Sequence, residues 1–162
     1  MKPMIVSDIT DQNERPVAHF TPETVRQVVS AETARKITSA LKDVVSKQGT
    51  AQKAEVPGFR VAGKTGTAQK VDPRGGYMSG RYVTSFVGFM PADDPKFTLL
   101  VLLDDPTMKE GAAFGGVVAG PVFARIAEKA ARYLDLQPTE EIAPQPGASG
   151  LKKVALSTRN RD

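Results

Sequence analysis

Four consecutive residues near the middle of the 162-residue chain carry its clearest chemistry: Lys64, Thr65, Gly66 and Thr67. The lysine ammonium and the two threonine hydroxyls can bind an anion, and the glycine lowers the steric cost of bringing the backbone close to a ligand. The same residue types also occur together in ordinary surface turns. The sequence on either side therefore has to decide between a binding site and a turn.

One hypothesis is a phosphate-binding loop, because residues 58–65 fit the pattern G-x-x-x-x-G-K-[ST] at every fixed position. The apolar residues 97–103, followed by Asp104, even resemble a strand that ends in a magnesium-binding aspartate. A phosphate loop, however, follows a buried strand and opens a helix. Here residues 51–57 are largely polar, and two helix breakers, Gly66 and Pro73, follow the motif. A nucleotide-binding protein thus remains an alternative without its expected structural context.

The pattern around the motif predicts that it lies on or beside a strand. Apolar and β-branched residues favour three strands, at residues 59–70, 82–90 and 97–103. Turn residues 72–73 and 91–95 separate them, and the three glycines in residues 74–80 predict a flexible connection. The third strand is nearly all apolar, which predicts a central strand buried on both faces.

Two segments have the periodicity of helices. Apolar residues recur every three or four positions over residues 31–48, where Ser30 can cap the start and Gly49 can end the helix. A second helix is predicted at residues 119–134, with Pro121 tolerated in its first turn. Both helices are expected to pack against the sheet.

The remaining segments are predicted to be short or irregular. Residues 4–10 and 17–20 indicate a loose hairpin around the turn-rich residues 11–14. Residues 21–29 fit a helix and a strand equally well, and residues 111–116 form a glycine-rich loop. The predicted fold class is therefore α+β, an antiparallel sheet of about three strands flanked by helices.

Composition and charge argue against several function classes. The formal net charge is +4, but residues 151–162 carry three of these charges without interleaved aromatic residues, so no nucleic-acid partner is predicted. The chain has no cysteine and a single histidine, His19, which argues against a metal site or a Ser-His-Asp triad. The longest apolar run, residues 99–103, is too short to span a bilayer, so no membrane segment is predicted in this chain.

A second hypothesis takes Lys64, Thr65 and Gly66 as the K-T-G box that serine acyl-transferases carry on a strand beside the active site. Further segments extend this match over residues 1–138, and through them the chain resembles the C-terminal part of the transpeptidase domain of class B penicillin-binding proteins. These segments are residues 1–3, 28–34, 49–51, 61–69, 85–92 and 115–123. The predicted order of helices and strands is also similar to that domain.

The resemblance implies a role in cross-linking peptidoglycan, where a serine takes an acyl group from a D-alanyl-D-alanine stem peptide and passes it to an amine. It implies that Lys64 contributes positive potential and that Thr65 donates its hydroxyl to the carboxylate of the substrate or of a β-lactam. Gly66 then lets the strand approach, and the backbone N–H of Thr67 supplies half of an oxyanion hole. The implied partners are the stem peptide or β-lactam and other cell-wall synthesis proteins, and no cofactor is implied.

The chain departs from the family in its nucleophile. The family carries the serine in an S-x-x-K box, with an S-x-N box, both upstream of the K-T-G strand. This chain has no S-x-N, and we interpret its S-x-x-K match at Ser39 to Lys42, in the helix predicted just before the K-T-G strand, as a coincidence. We therefore expect residues 1–136 to be an incomplete C-terminal part of a transpeptidase domain, inactive alone, followed by a flexible Pro/Gly-rich basic tail at residues 137–162.

The resemblance further implies that both boxes and a membrane anchor precede this part in a parent protein. That protein is expected at the cytoplasmic membrane, with this domain on the outer side. An alternative from a different class keeps the fold without catalysis, as a folded module derived from the same domain. In either case we expect no covalent labelling of this chain by a fluorescent penicillin.

Overall fold

The computed structural model of the chain describes residues 1–107 and 113–140. It divides the chain into two compact units, Met1–Ile37 and Thr38–Asp162. Most of the segment predicted to be a flexible basic tail, from residue 141 onward, lies outside the described residues.

The first unit contains the predicted hairpin. Strand β1 (Asp8–Thr10) pairs antiparallel with β2 (Pro16–His19). The turn between them is held by the Asp11 carboxylate, which accepts hydrogen bonds from the backbone N–H groups of Asn13 and Arg15 at 2.8 and 2.9 Å. An aspartate that bonds backbone groups two residues on is a common turn device. The hairpin prediction is confirmed, with a first strand shorter than the pattern suggested.

The first helix, α1 (Ala31–Asp43), begins where the sequence predicted. The Ser30 Oγ accepts a hydrogen bond from the Thr33 N–H at 3.1 Å, which satisfies one of the free donors at the helix start. The predicted end at residue 48, closed by Gly49, is wrong. The helix stops at Asp43. The Ser46 Oγ donates to the Asp43 carbonyl at 2.7 Å, so a serine hydroxyl satisfies a carbonyl group at the end of the helix.

The second unit is built on a three-stranded antiparallel sheet in the order β3-β4-β5. The strands are β3 (Ala62–Val71), β4 (Tyr77–Met90) and β5 (Phe97–Asp104). The α+β fold class and the antiparallel three-stranded sheet are thereby confirmed. The predicted flexible connection at residues 74–80 is wrong, because β4 already begins at Tyr77. Gly75 and Gly76, with φ of 106° and 79°, make the short turn that allows it.

The apolar strand β5 lies at an edge of this sheet within the described residues, and not at its centre as predicted. Its side chains alternate: Val101 is buried, whereas Leu100 and Leu102 are 58% and 57% exposed. On the neighbouring strand Val87, directly opposite Leu100, is 40% exposed. One face of the sheet is therefore covered, and the other presents exposed apolar side chains.

Helix α2 (Gly115–Tyr133) covers the first face. Its Phe123 meets Phe86 of β4 edge to face, with ring centroids 4.8 Å apart and both side chains fully buried. The helix starts four residues before the predicted position, so Pro121 lies in its second turn and not in its first. A short 3-10 helix, Gln52–Ala54, packs close to Gly120 of α2, where a Cβ would lie 3.3 Å from the Ala54 nitrogen. These elements together form one hydrophobic core.

One polar side chain, Thr84 of β4, is fully buried in this unit. Its hydroxyl has no hydrogen-bond partner among residues 1–107 and 113–140. A buried hydroxyl without a partner lowers stability by about 1–3 kcal/mol. The free energy of unfolding is therefore lower with Thr84 than it would be with an apolar residue of the same shape at this position.

We predict that Thr84→Val raises the free energy of unfolding by about 1 kcal/mol, because valine keeps the shape of the side chain and removes the unpaired hydroxyl. Urea denaturation of both proteins measures the difference. The matched variant Thr84→Ser keeps the hydroxyl and deletes a methyl, and it is expected to lower stability by about 1 kcal/mol. A loss of stability in Thr84→Val would show that the hydroxyl is bonded.

An ion pair between Arg81 and Asp105 lies at the end of β5. The Arg81 Nε donates to Asp105 Oδ2 at 2.7 Å, and Asp105 has a left-handed backbone with φ of 53°. The hydrogen bond from Arg81 lowers the pKa of the Asp105 carboxyl below its ordinary value of 3.8. A lowered pKa means that the pair stabilises the fold when the carboxylate is ionised, and that this contribution is lost as the pH falls through the folded-state pKa.

We therefore predict that Asp105→Asn lowers the thermal unfolding midpoint at pH 7, and that the difference from the unchanged chain shrinks below about pH 4. Asparagine tolerates the left-handed backbone, so the variant tests the charge and not the turn. Asp94→Asn is the control, since Asp94 pairs with Lys96 two residues away and its side chain is 78% exposed. A difference that stays constant between pH 7 and pH 3 would contradict the role of the ion pair.

Candidate functional site

The four residues Lys64, Thr65, Gly66 and Thr67 all lie inside β3, as the sequence predicted. Within the described residues β3 pairs with β4 alone, so its other edge is open. No helix follows the motif: the strand continues to Val71 and turns into β4. The phosphate-loop alternative, which needs Lys64 and Thr65 at the start of a helix, is therefore wrong.

The Lys64 side chain is exposed and lies along its own strand. Its Nζ donates to the backbone carbonyl of Thr65 at 2.8 Å. The cation is thereby held beside the threonines while its surface stays in contact with solvent. The Lys64 side chain leaves the sheet on the face of Val87, opposite to the face of the two threonine side chains, and its ammonium reaches the backbone of Thr65.

The hydroxyls of Thr65 and Thr67 point to one face of the sheet, because residues two apart along a strand share a face. That face is the one covered by α2, since Thr65 lies opposite Phe86 and Thr67 lies opposite Thr84. The Thr67 Oγ1 accepts a hydrogen bond from the Gly115 N–H, at the start of α2, at 3.2 Å. The Thr65 Oγ1 lies 3.4 Å from the Thr50 Oγ1.

Thr50 was not among the predicted site residues. It precedes Thr65 by 15 residues and lies in the loop before the 3-10 helix. The signal that could have found it was the segment 49–51, which the resemblance included without giving it a role. The structure brings its hydroxyl to the edge of the K-T-G-T stretch.

Two glycines let the start of α2 approach this strand. A Cβ on Gly115 would lie 2.3 Å from the Ser85 carbonyl oxygen, and one on Gly116 would lie 1.8 Å from the Thr50 carbonyl oxygen. Both contacts are too close for any side chain. The predicted glycine-rich loop at residues 111–116 is therefore corrected at its end, where Gly115 and Gly116 are the first residues of the helix.

Gly66 has a different environment from the one the sequence implied. A Cβ at this position would lie 2.5 Å from the Ser85 Oγ on the neighbouring strand. Within this chain, the missing side chain thus makes room for a serine of β4. Its proposed role in close approach to a substrate remains a prediction.

Ser39 and Lys42 lie on α1 and are not part of the β3 site. Lys42 forms an ion pair with Asp93, which engages its ammonium group. Both residues line a cavity of about 450 Å³ together with Arg60 and Glu140. None of the residues Lys64 to Thr67 lines this cavity. A second formal S-x-x-K match, Ser149 to Lys152, lies outside the described residues.

Residues 1–107 and 113–140 contain no group of three or more histidine, cysteine or acidic side chains that could hold a metal ion. In the part of the chain that the structure describes, no helix is long and apolar enough to cross a membrane. His19 pairs instead with Asp8, at 2.6 Å between Nδ1 and Oδ1, and this contact lowers the pKa of Asp8.

The amino-acid sequence of the chain is similar to those of known proteins. The profile of a family described as the penicillin binding protein transpeptidase domain matches residues 1–128. Stage V sporulation protein D of Bacillus subtilis is 40% identical over 125 residues, which are 77% of this chain and 19% of that protein. The probable peptidoglycan D,D-transpeptidase PbpC of Pseudomonas aeruginosa is 41% identical, over 70% of this chain and 20% of that protein. The chain thus spans about a fifth of the length of these two relatives.

Solved structures of penicillin-binding proteins are also similar to this chain. The transpeptidase domain of penicillin-binding protein 3 from Burkholderia pseudomallei superposes with a TM-score of 0.66 and 41% identity, covering 82% of this chain and 37% of that one. Penicillin-binding protein 3 from Mycobacterium tuberculosis, solved with ampicillin, superposes with a TM-score of 0.69 and 30% identity, covering 88% of this chain and 32% of that one. The fold described above is therefore shared with these structures.

We predict that Gly116→Ala displaces the start of α2, because the new methyl meets the Thr50 carbonyl oxygen. Overpacking of this kind lowers stability by about 1–3 kcal/mol, and the Thr67 amide resonance should shift as the Gly115 contact changes. Gly120→Ala in the same helix is the matched control. Its nearest neighbour is 3.3 Å away and alanine favours the helix, so stability should change by less than about 1 kcal/mol. Equal effects of the two variants would contradict the special role of Gly116.

Proposed function

The chain belongs to the family of penicillin-binding protein transpeptidase domains, and we propose that it supplies the substrate-binding strand of a peptidoglycan D,D-transpeptidase. The observation that carries the proposal is the arrangement on β3. A lysine ammonium and two threonine hydroxyls lie on a strand that has one open edge among the described residues, and each hydroxyl is in contact with a fixed neighbour. An extended peptide that ends in a carboxylate fits such an edge.

In this proposal Lys64 attracts the carboxylate of a D-alanyl-D-alanine stem peptide, and Thr65 donates its hydroxyl to it. A hydrogen bond to a charged group is worth about 1.5–3 kcal/mol, roughly twice a neutral one, so one well-placed hydroxyl matters for affinity. Gly66 leaves the strand without a side chain at the next position. A β-lactam that carries a carboxylate would occupy the same place.

The backbone N–H of Thr67 is proposed as one donor of the oxyanion hole. Along a strand the main-chain groups of residues two apart point to the same edge. The contact from Lys64 Nζ to the Thr65 carbonyl supports an open-edge position for Thr65, and hence for Thr67. A fixed donor at a developing oxyanion is worth about 10²–10³ in rate, which is the scale of the effect assigned to this N–H.

The acylated serine is not Ser39 in this proposal, since the ammonium of Lys42 is engaged by Asp93 and none of the residues Lys64 to Thr67 lines the cavity that Ser39 and Lys42 line. We propose that the nucleophile box belongs to a part of the transpeptidase domain outside residues 1–136.

The comparisons support the substrate class. Two of the similar Mycobacterium tuberculosis structures are complexes with ampicillin and with aztreonam, both β-lactams. Names of relatives include peptidoglycan D,D-transpeptidase FtsI of Buchnera aphidicola. We accordingly propose stem peptides and β-lactams as ligands, other cell-wall synthesis proteins as partners, and a parent protein anchored in the cytoplasmic membrane with this domain on its outer side.

The proposal predicts weak, reversible binding of ampicillin at β3. In a titration of the isotope-labelled full chain, the amide resonances of residues 64–67 should shift saturably. Lys64→Ala should weaken binding several-fold, since the charge that attracts the carboxylate is removed. Lys70→Ala is the matched control: Lys70 lies on the same strand but pairs with Asp104, and its loss should leave the affinity unchanged.

Two outcomes would contradict the proposal. Equal loss of affinity in Lys64→Ala and Lys70→Ala would indicate unspecific charge attraction. When the folded chain is incubated with a fluorescent penicillin and then denatured, it should carry no covalent label. A stable label that disappears in Ser39→Ala would show that Ser39 is a nucleophile.

A further inference from the structure

The Thr50 hydroxyl lies next to the Thr65 hydroxyl, and the proposed function gives Thr50 no role of its own in ligand binding. We infer that Thr50 is a positioning residue, which orients the Thr65 hydroxyl so that its proton is free for the carboxylate of the ligand. This inference rests on the proposed function and deepens it. It assigns the affinity of the K-T-G strand in part to a loop that precedes the strand.

The first step is the contact itself. The two Oγ1 atoms lie 3.4 Å apart, and either hydroxyl can be the donor. A hydroxyl has one proton and two acceptor lone pairs. If Thr50 donates to Thr65, the Thr65 proton is left to point elsewhere, and a carboxylate needs a proton of this kind.

The second step is that Thr50 is held in place by its backbone. Its carbonyl oxygen lies against Gly116, where a Cβ would be only 1.8 Å away. The next residue, Ala51, is 1% exposed, and its N–H donates to the Val44 carbonyl at 2.9 Å. The Thr50 side chain therefore projects from a fixed point, and a fixed donor orients its acceptor at little entropic cost.

The third step is the parallel with Thr67. Its Oγ1 accepts a hydrogen bond from the Gly115 N–H, which comes from the first residue of α2. With Thr50 as donor, both hydroxyls of the strand accept one hydrogen bond from a fixed neighbour and keep their own protons. Both neighbours adjoin the start of α2, through Gly115 itself and through the contact of Thr50 with Gly116. Chained hydrogen bonds of this kind strengthen one another, which favours an anion at the end of the chain.

The experiment compares Thr50→Val with Thr50→Ser in the full chain. Valine keeps the shape and removes the hydroxyl, whereas serine keeps the hydroxyl. Binding of ampicillin, followed by the amide shifts of residues 64–67, should weaken about two- to tenfold in Thr50→Val, the fold-change that corresponds to one hydrogen bond. Thr50→Ser should bind within about twofold of the unchanged chain.

A double-variant cycle separates positioning from a direct contact. If Thr50 acts through Thr65, then Thr50→Val should have no further effect on binding when Thr65→Val is already present. An equal loss in both backgrounds would overturn the inference, because Thr50 would then act independently of Thr65. Unchanged affinity in Thr50→Val would overturn it as well.

A measurement without ligand distinguishes failure of this inference from failure of the proposed function. Scalar couplings of the Thr65 side chain report its χ1 rotamer, which should be single in the unchanged chain and in Thr50→Ser and averaged in Thr50→Val. Unchanged couplings in Thr50→Val would overturn the positioning role. Absence of saturable ampicillin binding in the unchanged chain would overturn the proposed function and, with it, the role of Thr50 in ligand binding.

Discussion

The close approach of the first turn of α2 to the sheet is the constraint on which the site depends. Gly115 and Gly116 leave no room for a side chain between the helix, Ser85 and Thr50. The edge-to-face contact of Phe86 with Phe123 holds the same helix further along. Because this turn contacts both Thr67 and the loop of Thr50, the packing that forms the core also sets the positions of the hydroxyls on β3.

The sheet has two unlike faces, and this explains the main error in the predicted fold. An apolar run such as residues 97–103 is typical of a strand buried on both faces. In this chain β5 buries Val101 against the core, while Leu100 and Leu102 remain more than half exposed. The apolar pattern was read correctly as a strand, but a pattern of residue types does not say how many layers cover it.

Two matches to catalytic motifs in this chain differ in the side chains that surround them. Lys64 and Thr65 lie on a strand that, in the part of the chain that the structure describes, has an open edge where a ligand can reach them. Ser39 and Lys42 are one turn apart on a helix, and the ammonium of Lys42 is paired with Asp93. The spacing of a motif is thus only half of the requirement, and the neighbours contributed by distant parts of the chain complete it.

The sequence alone determined the α+β class, the three strands and the position of Lys64 to Thr67 on one of them, because alternation, turn residues and helical periodicity are local properties. Only the tertiary structure decided which strand lies at an edge, where α1 ends, and which groups meet the two threonines. Thr50 and Gly115 contact residues 15 and 48 positions away along the chain. Such contacts follow from the packing of a helix on a sheet, which no local pattern of residues encodes.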